Sequence, residues 1–109
     1  RNGIGSEYSS KENSLAVNKD NLQAGKMLYA KNCSSCHGLS GNGDGPAGKN
    51  LNPRPANIAN FSKMPMATDG YLFWTISEGG IPIQTAMPAF RSSLKEEEIW
   101  KIIIYLRDM

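Results

Sequence analysis

A chain of 109 residues, 39% hydrophobic and 8% aromatic, allows one domain with a modest apolar core. Its formal net charge of +2 argues against a nucleic-acid partner and makes charge steering toward any partner weak. No apolar run is long enough to span a membrane.

The first twenty residues, RNGIGSEYSSKENSLAVNKD, are polar, rich in Gly, Ser and Asn, and lack helical period. They read as a flexible lead-in over 1–20, ahead of a single domain over 21–109. A linker from an anchor is the rival reading, although nothing in these residues demands one. A helix is expected from about Asn21, capped by Asp20 or Asn18. Leu22, Gly25, Leu28 and Tyr29 recur on it at helical spacing. Glycine weakens a helix, so Gly25 marks the close approach of another element. Met27 and Ala30 are read as packing residues.

That helix runs into Cys33-Ser34-Ser35-Cys36-His37, which holds both cysteines and the sole histidine of the chain. Four chemistries use such spacing. A redox dithiol usually sits near a βαβ pattern, which is missing around this motif. A zinc site needs four ligands, and no further Cys or His exists to complete one. A structural disulfide here would close only a tiny loop. The fourth is covalent haem attachment, whose signature is C-x-x-C-H. Two thioethers then hold the porphyrin vinyl groups while the adjacent imidazole reaches the iron. This reading uses all three residues at once and is preferred. It also suits a small chain: a large apolar disc is a staple around which a few helices pack. The haem propionates would bring the net charge nearer neutral.

GLSGNGDGPAGKNLNPRPANI follows as a loop. It resembles a phosphate-binding loop only superficially, because no strand precedes it and no Lys-Ser/Thr follows at the right distance. A second helix is capped by Thr68, has Asp69 in its first turn and ends at Gly79-Gly80. Tyr71, Leu72, Trp74, Thr75 and Ile76 fill it. IPIQTAMPAF has no helical period. The last helix carries a Ser93/Glu96 capping box, with Glu96, Glu97 and Glu98 at its positive end and Arg107 near its negative end. Ile99, Ile102, Ile103, Tyr105 and Leu106 form its apolar surface. Strand signals are nearly absent. The expected fold is all-α, three or more helices around one haem.

With His37 on one side of the iron, the other axial position falls to a methionine, since bis-His ligation within the chain is excluded. Thioether sulfur is soft, needs no deprotonation and raises the reduction potential. Met27 lies on the helix leading into the motif and cannot readily cross to the opposite face, so it is read as a flexible core filler. Met109 is terminal. Met87 lies far along the chain in a non-helical segment that can pass over the far face, and is preferred. Met64 and Met66, flanking Pro65, are the alternatives.

Taken together, the helix with Gly25 and Tyr29, CSSCH, GDGPAG, TAMPAF and the closing EIWKIIIYLRDM resemble a class I cytochrome c of the small bacterial type. The resemblance spans roughly residues 21–109. It implies a cytochrome c fold and one haem c attached through Cys33 and Cys36. His37 would be the proximal iron ligand and Met87 the distal one. Gly25 and Tyr29 would pack the first helix on the last, near Ile102 and Tyr105. Pro46 would offer its carbonyl to the His37 ring N–H, which fixes the imidazole and raises its basicity; an ordinary turn proline is the competing role. Arg54 would sit near a propionate, against the alternative of a solvated surface residue. Trp74 would either donate to a propionate or fill core, with core preferred.

The resemblance further implies an electron-transfer protein rather than an enzyme, cycling between ferric and ferrous iron with no open site for substrate. Partners would be redox proteins, a donor and an acceptor, met at the haem edge beside an apolar rim of Ile81, Pro82, Ile83, Ala86 and Pro88. Such encounters are usually small and transient. A fixed subunit of a larger oxidoreductase is the alternative, with Met64-Pro65-Met66 and Ile81-Pro82-Ile83 buried at an interface. A haem enzyme or gas sensor with a labile distal Met ranks third. Covalent haem attachment of this type is completed outside the bacterial cytoplasm. The expected location is therefore periplasmic or otherwise extracytoplasmic, with a signal or anchor removed from the mature chain.

Overall fold

A computed structural model describes residues 6–80 and 85–109. Among them are six helices and no strand: α1 (Ser6–Ser9), α2 (Lys19–Asn32), α3 (Ser34–His37), α4 (Ile58–Phe61), α5 (Asp69–Glu78) and α6 (Glu96–Asp108). None is long and apolar enough to cross a membrane. The all-α expectation holds.

Helix α2 is mostly polar, so its position depends on a narrow stripe. Asn18 caps it, its Oδ1 accepting from the Asn21 N–H at 2.8 Å. Gly25 and Tyr29 are its buried residues, and both face α6. A Cβ on Gly25 would stand 2.0 Å from the Lys101 carbonyl oxygen, so only glycine lets the two backbones come this close. One turn on, the Tyr29 and Tyr105 rings meet with centroids 5.5 Å apart. This pair of helices is the principal packing unit, and α5 packs on α6 beside it.

Helix α6 supplies most of the core. Ile99, Trp100, Ile102, Ile103, Ile104 and Leu106 are buried, with Leu72, Phe73 and Ile76 of α5 packed into the same cluster. Removing a fully buried side chain such as Ile102 down to Ala costs about 2–5 kcal/mol. Its start lies two residues beyond the expected cap. Ser93 and Leu94 close a turn onto the Phe90 carbonyl, and Lys95 is the N-cap. Glu98 reaches back to accept from the Lys95 N–H at 2.8 Å, which is the glutamate half of a capping box placed two residues later, with Glu98 rather than Glu96; the Lys95 ammonium is donor-only and gives no reciprocal bond. Helix α5 begins as expected, Thr68 Oγ1 accepting from the Tyr71 N–H at 3.2 Å, and ends at Gly79 with φ 65°.

Residues 6–17, part of the stretch read as a flexible lead-in, lie against the helical body. Tyr8 stacks near Phe73, the Lys11 ammonium sits 4.9 Å over the same ring, and Asn13 donates to the Trp100 carbonyl at 3.1 Å. Four-residue helices such as α1 and α4 carry too little periodicity to be seen in sequence.

Candidate functional site

The five residues of the C-x-x-C-H stretch form one short turn of helix. Helix α2 ends at Asn32, and Cys33 is the junction residue. The Cys36 and His37 N–H groups both return to the Cys33 carbonyl, at 3.3 and 2.9 Å. A spacing of three residues puts the two thiols on the same face of that turn, with the imidazole one residue further round.

So short a helix leaves its carbonyls unpaired unless something else meets them. The glycine-rich loop does so. The Gly38 N–H bonds Ser34 O at 2.8 Å, Ala47 N–H bonds Ser35 O at 2.8 Å, Gly45 N–H bonds Cys36 O at 3.0 Å, and Gly43 N–H bonds His37 O at 2.8 Å. A Cβ on Gly45 would stand 2.3 Å from the Ser35 oxygen, so the loop runs in backbone contact with the motif. These amides are spent on the turn, which disposes of the loop's superficial likeness to a phosphate cradle.

The imidazole is oriented from a different part of the chain. His37 Nδ1 lies 3.0 Å from the Ala56 carbonyl oxygen. A carbonyl only accepts, so Nδ1 carries the proton and Nε2 keeps its lone pair free for a metal. Pro46 was expected to present that carbonyl. It is instead exposed in the loop, and Ala56 has the role. Ala56 is held there by its surroundings: Asn57 caps α4 through Asn60 N–H at 3.1 Å, and the Ala59 N–H bonds Gly41 O at 3.1 Å. Eighteen residues of irregular chain separate His37 from Ala56, and no sequence signal says which carbonyl of this stretch returns to the imidazole.

The two cysteines are not joined in a disulfide. Burial, with the neighbouring Cys36 adding to it, pushes the Cys33 thiol up to about 12. A redox nucleophile is a thiolate, and the burial of Cys33 opposes one. Among the described residues no group of three or more His, Cys, Asp or Glu is placed to hold a metal ion. The donor set is therefore one bare imidazole nitrogen and two thiols on a single turn. That set suits a haem c and does not suit a four-ligand zinc.

Met87 comes to the molecule on a separate segment, at the C-terminal end of α5. Its carbonyl accepts from the Gly80 N–H at 2.9 Å, and Thr85 N–H returns to Gly80 O at 2.9 Å. Met87 is half-buried; Met64 and Met66 are exposed in their loop. Met27 is 65% exposed on α2, so its expected role as core filler is corrected: Gly25 and Tyr29 take the inward face and Met27 the outward one. Met109 packs at the edge of the core, beside Gly41. Arg54 is exposed. Trp74 is half-buried at the end of a row of rings, 5.6 Å from Tyr71, which is 5.7 Å from Phe61. Of the two tryptophans it is Trp100 that belongs to the core. Ala86 and Pro88 are exposed, whereas Ile81, Pro82 and Ile83 of the expected rim lie outside the described residues.

Residues 20–106 match the family model for cytochrome c oxidase, cbb3-type, subunit III. No curated protein matches the chain. Among solved structures, the chain is similar to one from the reducing HAO-like protein complex of Kuenenia stuttgartiensis. There it shares 24% identity with a TM-score of 0.71, over 86% of this chain and 46% of that one. It is also similar to cytochrome CL from the marine methylotrophic bacterium Methylophaga aminisulfidivorans, with 25% identity and a TM-score of 0.68. That match covers 92% of this chain and 62% of the other. The first likeness bears on the fold alone, and the chain spans less than two thirds of either protein's length.

Proposed function

The chain belongs to the c-type cytochrome family described as cytochrome c oxidase, cbb3-type, subunit III, and from that premise we propose how it carries electrons. Cys33 and Cys36 attach one haem c as thioethers, His37 Nε2 is the proximal iron ligand and Met87 sulfur the distal one. The haem supplies a one-electron couple between ferric and ferrous iron. The chain supplies everything else. The Ala56 carbonyl holds the imidazole in one tautomer and makes Nε2 a better donor. The glycine-rich loop holds the attachment turn rigid by occupying its carbonyls. A neutral thioether on the far side favours the reduced state and leaves no position for substrate, so the protein is a carrier and not an enzyme. Pro46, exposed on the loop, is a turn residue; exposed Arg54 would pair with a propionate, and half-buried Trp74 would either donate to one or pack beside Tyr71.

The observation that carries this reading is the His37–Ala56 contact on the same turn as two cysteines that form no disulfide. The test is the visible spectrum of the ferric holoprotein. The weak far-red band of methionine sulfur on ferric haem is expected, lost in Met87→Ala and kept in Met64→Ala and Met66→Ala. Haem that stays with the denatured chain, and is released from Cys33→Ser/Cys36→Ser, tests the thioethers. Carbon monoxide binding to the untreated reduced protein would instead put the sensor or enzyme reading first.

A second reading is a fixed subunit of a larger oxidoreductase. The family description names an oxidase subunit, and Met64 and Met66 are exposed on either side of Pro65. Migration of the haem with a large complex in native extract favours this over a free shuttle. In both readings the protein works with redox protein partners in an extracytoplasmic compartment.

A further inference from the structure

We propose that Glu78 is a positioning residue for the segment that carries Met87, and that Tyr8 of the N-terminal helix acts through it. The inference rests on the reading of Met87 as the distal ligand.

Glu78 is the last residue of α5, and its carboxylate faces two ways. Oε2 accepts from the Tyr8 hydroxyl on one side and from Arg91 Nη1, at 3.3 Å, on the other. Arg91 follows directly on the TAMPAF stretch. Met87 is thus suspended between two anchors. The first is backbone only: Gly80 N–H to Met87 O and Thr85 N–H to Gly80 O, both at 2.9 Å. The second pins the far end to the last turn of α5, through Phe90 N–H to Ile76 O and Arg91 N–H to Ser77 O, both at 3.1 Å. Glu78 adds its side chain to this second anchor.

The N-terminal helix is built to meet it. A Cβ on Gly70 would stand 2.1 Å from the Tyr8 carbonyl oxygen, so α1 sits in backbone contact with the first turn of α5. The Tyr8 ring lies 6.1 Å from Phe73, one turn before Ser77 and Glu78. Beyond it, Asn13 N–H bonds Asp69 Oδ2 at 2.9 Å and Lys11 pairs with Glu96 at 3.6 Å. These contacts fix where the phenol points.

An ion pair with one partner as exposed as Arg91 contributes little to global folding. Its effect is local, because the pair lies at the end of an irregular segment that can open without unfolding the helices. If the pair steadies Met87, then weakening it lets an added ligand compete for the iron.

The experiment titrates imidazole against the ferric holoprotein and follows loss of the far-red band, with unfolding by denaturant measured in parallel. Variants are Tyr8→Phe, Glu78→Gln, the double variant, Glu78→Asp and Met87→Ala. Glu78→Gln is expected to tighten apparent imidazole binding by about threefold to tenfold. Tyr8→Phe should give a smaller gain, and the double variant no more than Glu78→Gln alone. Glu78→Asp, which keeps the charge, should recover part of the difference. A drop in unfolding stability with unchanged imidazole affinity in Glu78→Gln, while Met87→Ala removes the band, overturns this inference alone. A Met87→Ala protein that keeps its band overturns the ligand assignment and this inference with it.

Discussion

The Tyr29 hydroxyl donates to the Gly38 carbonyl oxygen at 2.7 Å, so the helix that packs on α6 also holds the residue immediately after His37. One side chain thereby ties the helix crossing to the Cys33–His37 turn. Tyr29 is almost wholly buried, and the bond has no water to replace it. Tyr29→Phe should cost about 1–2 kcal/mol in denaturant unfolding with the fold kept. No loss would mean the hydroxyl is not made use of.

The same burial makes Tyr29 pH-sensitive. Desolvation first, and nearby negative groups second, raise its phenol above the usual value of 10.0. The folded state then holds a proton that the unfolded chain gives up. Its contribution is fully present below about pH 10 and is lost as the pH climbs beyond that toward the folded value. Stability of the wild type should fall from about pH 10 upward, with a shallower fall in Tyr29→Phe. Parallel slopes would count against the assignment.

Gly25→Ala tests the helix crossing. The new Cβ meets the Lys101 carbonyl oxygen and carbon at 2.0 and 2.7 Å, and backbone cannot step aside as a side chain would. Helices α2 and α6 must separate, at a cost of about 1–3 kcal/mol or more. The thermal midpoint should fall by several degrees. An unchanged midpoint would show that the two helices part without penalty.

Arg107 closes the other end of the molecule. Its guanidinium donates to Ser62 O at 2.8 Å, Ala67 O at 2.9 Å and Asp69 Oδ1 at 2.7 Å. It therefore joins the end of α6 to the start of α5. Arg107→Ala should lose about 1–3 kcal/mol, because carbonyls at the core edge are left without donors. Arg107→Lys should recover only part, since an ammonium cannot span three acceptors the way a planar fork does. Full recovery in Arg107→Lys would mean that charge alone matters.

Much of this was legible from short stretches. The CSSCH turn, the Asn18 and Thr68 caps, the Gly79 stop and the Gly25 close approach are each signalled within a few residues. The reason is that caps, turns and helical faces are local chemistry. The α6 capping box was misplaced for the same reason in reverse. Ser93 and Lys95 both have a glutamate three residues on, and the turn at Phe90 that engages Ser93 is a tertiary event.

The helical fold and a short list of chemistries for the Cys33–His37 stretch follow from the residues in order. Two thiols and an imidazole at that spacing have few chemistries, and a 3.6-residue apolar period has one geometry. The packed fold sets which carbonyl steadies His37, which face of α2 takes Met27, and that Tyr8, Lys11 and Asn13 meet α5. Ala56, Tyr8 and Glu78 acquire their roles from partners 19, 70 and 70 residues away. A hydrogen bond of that range depends on how loops without periodicity close, and a linear sequence carries no local signal for it.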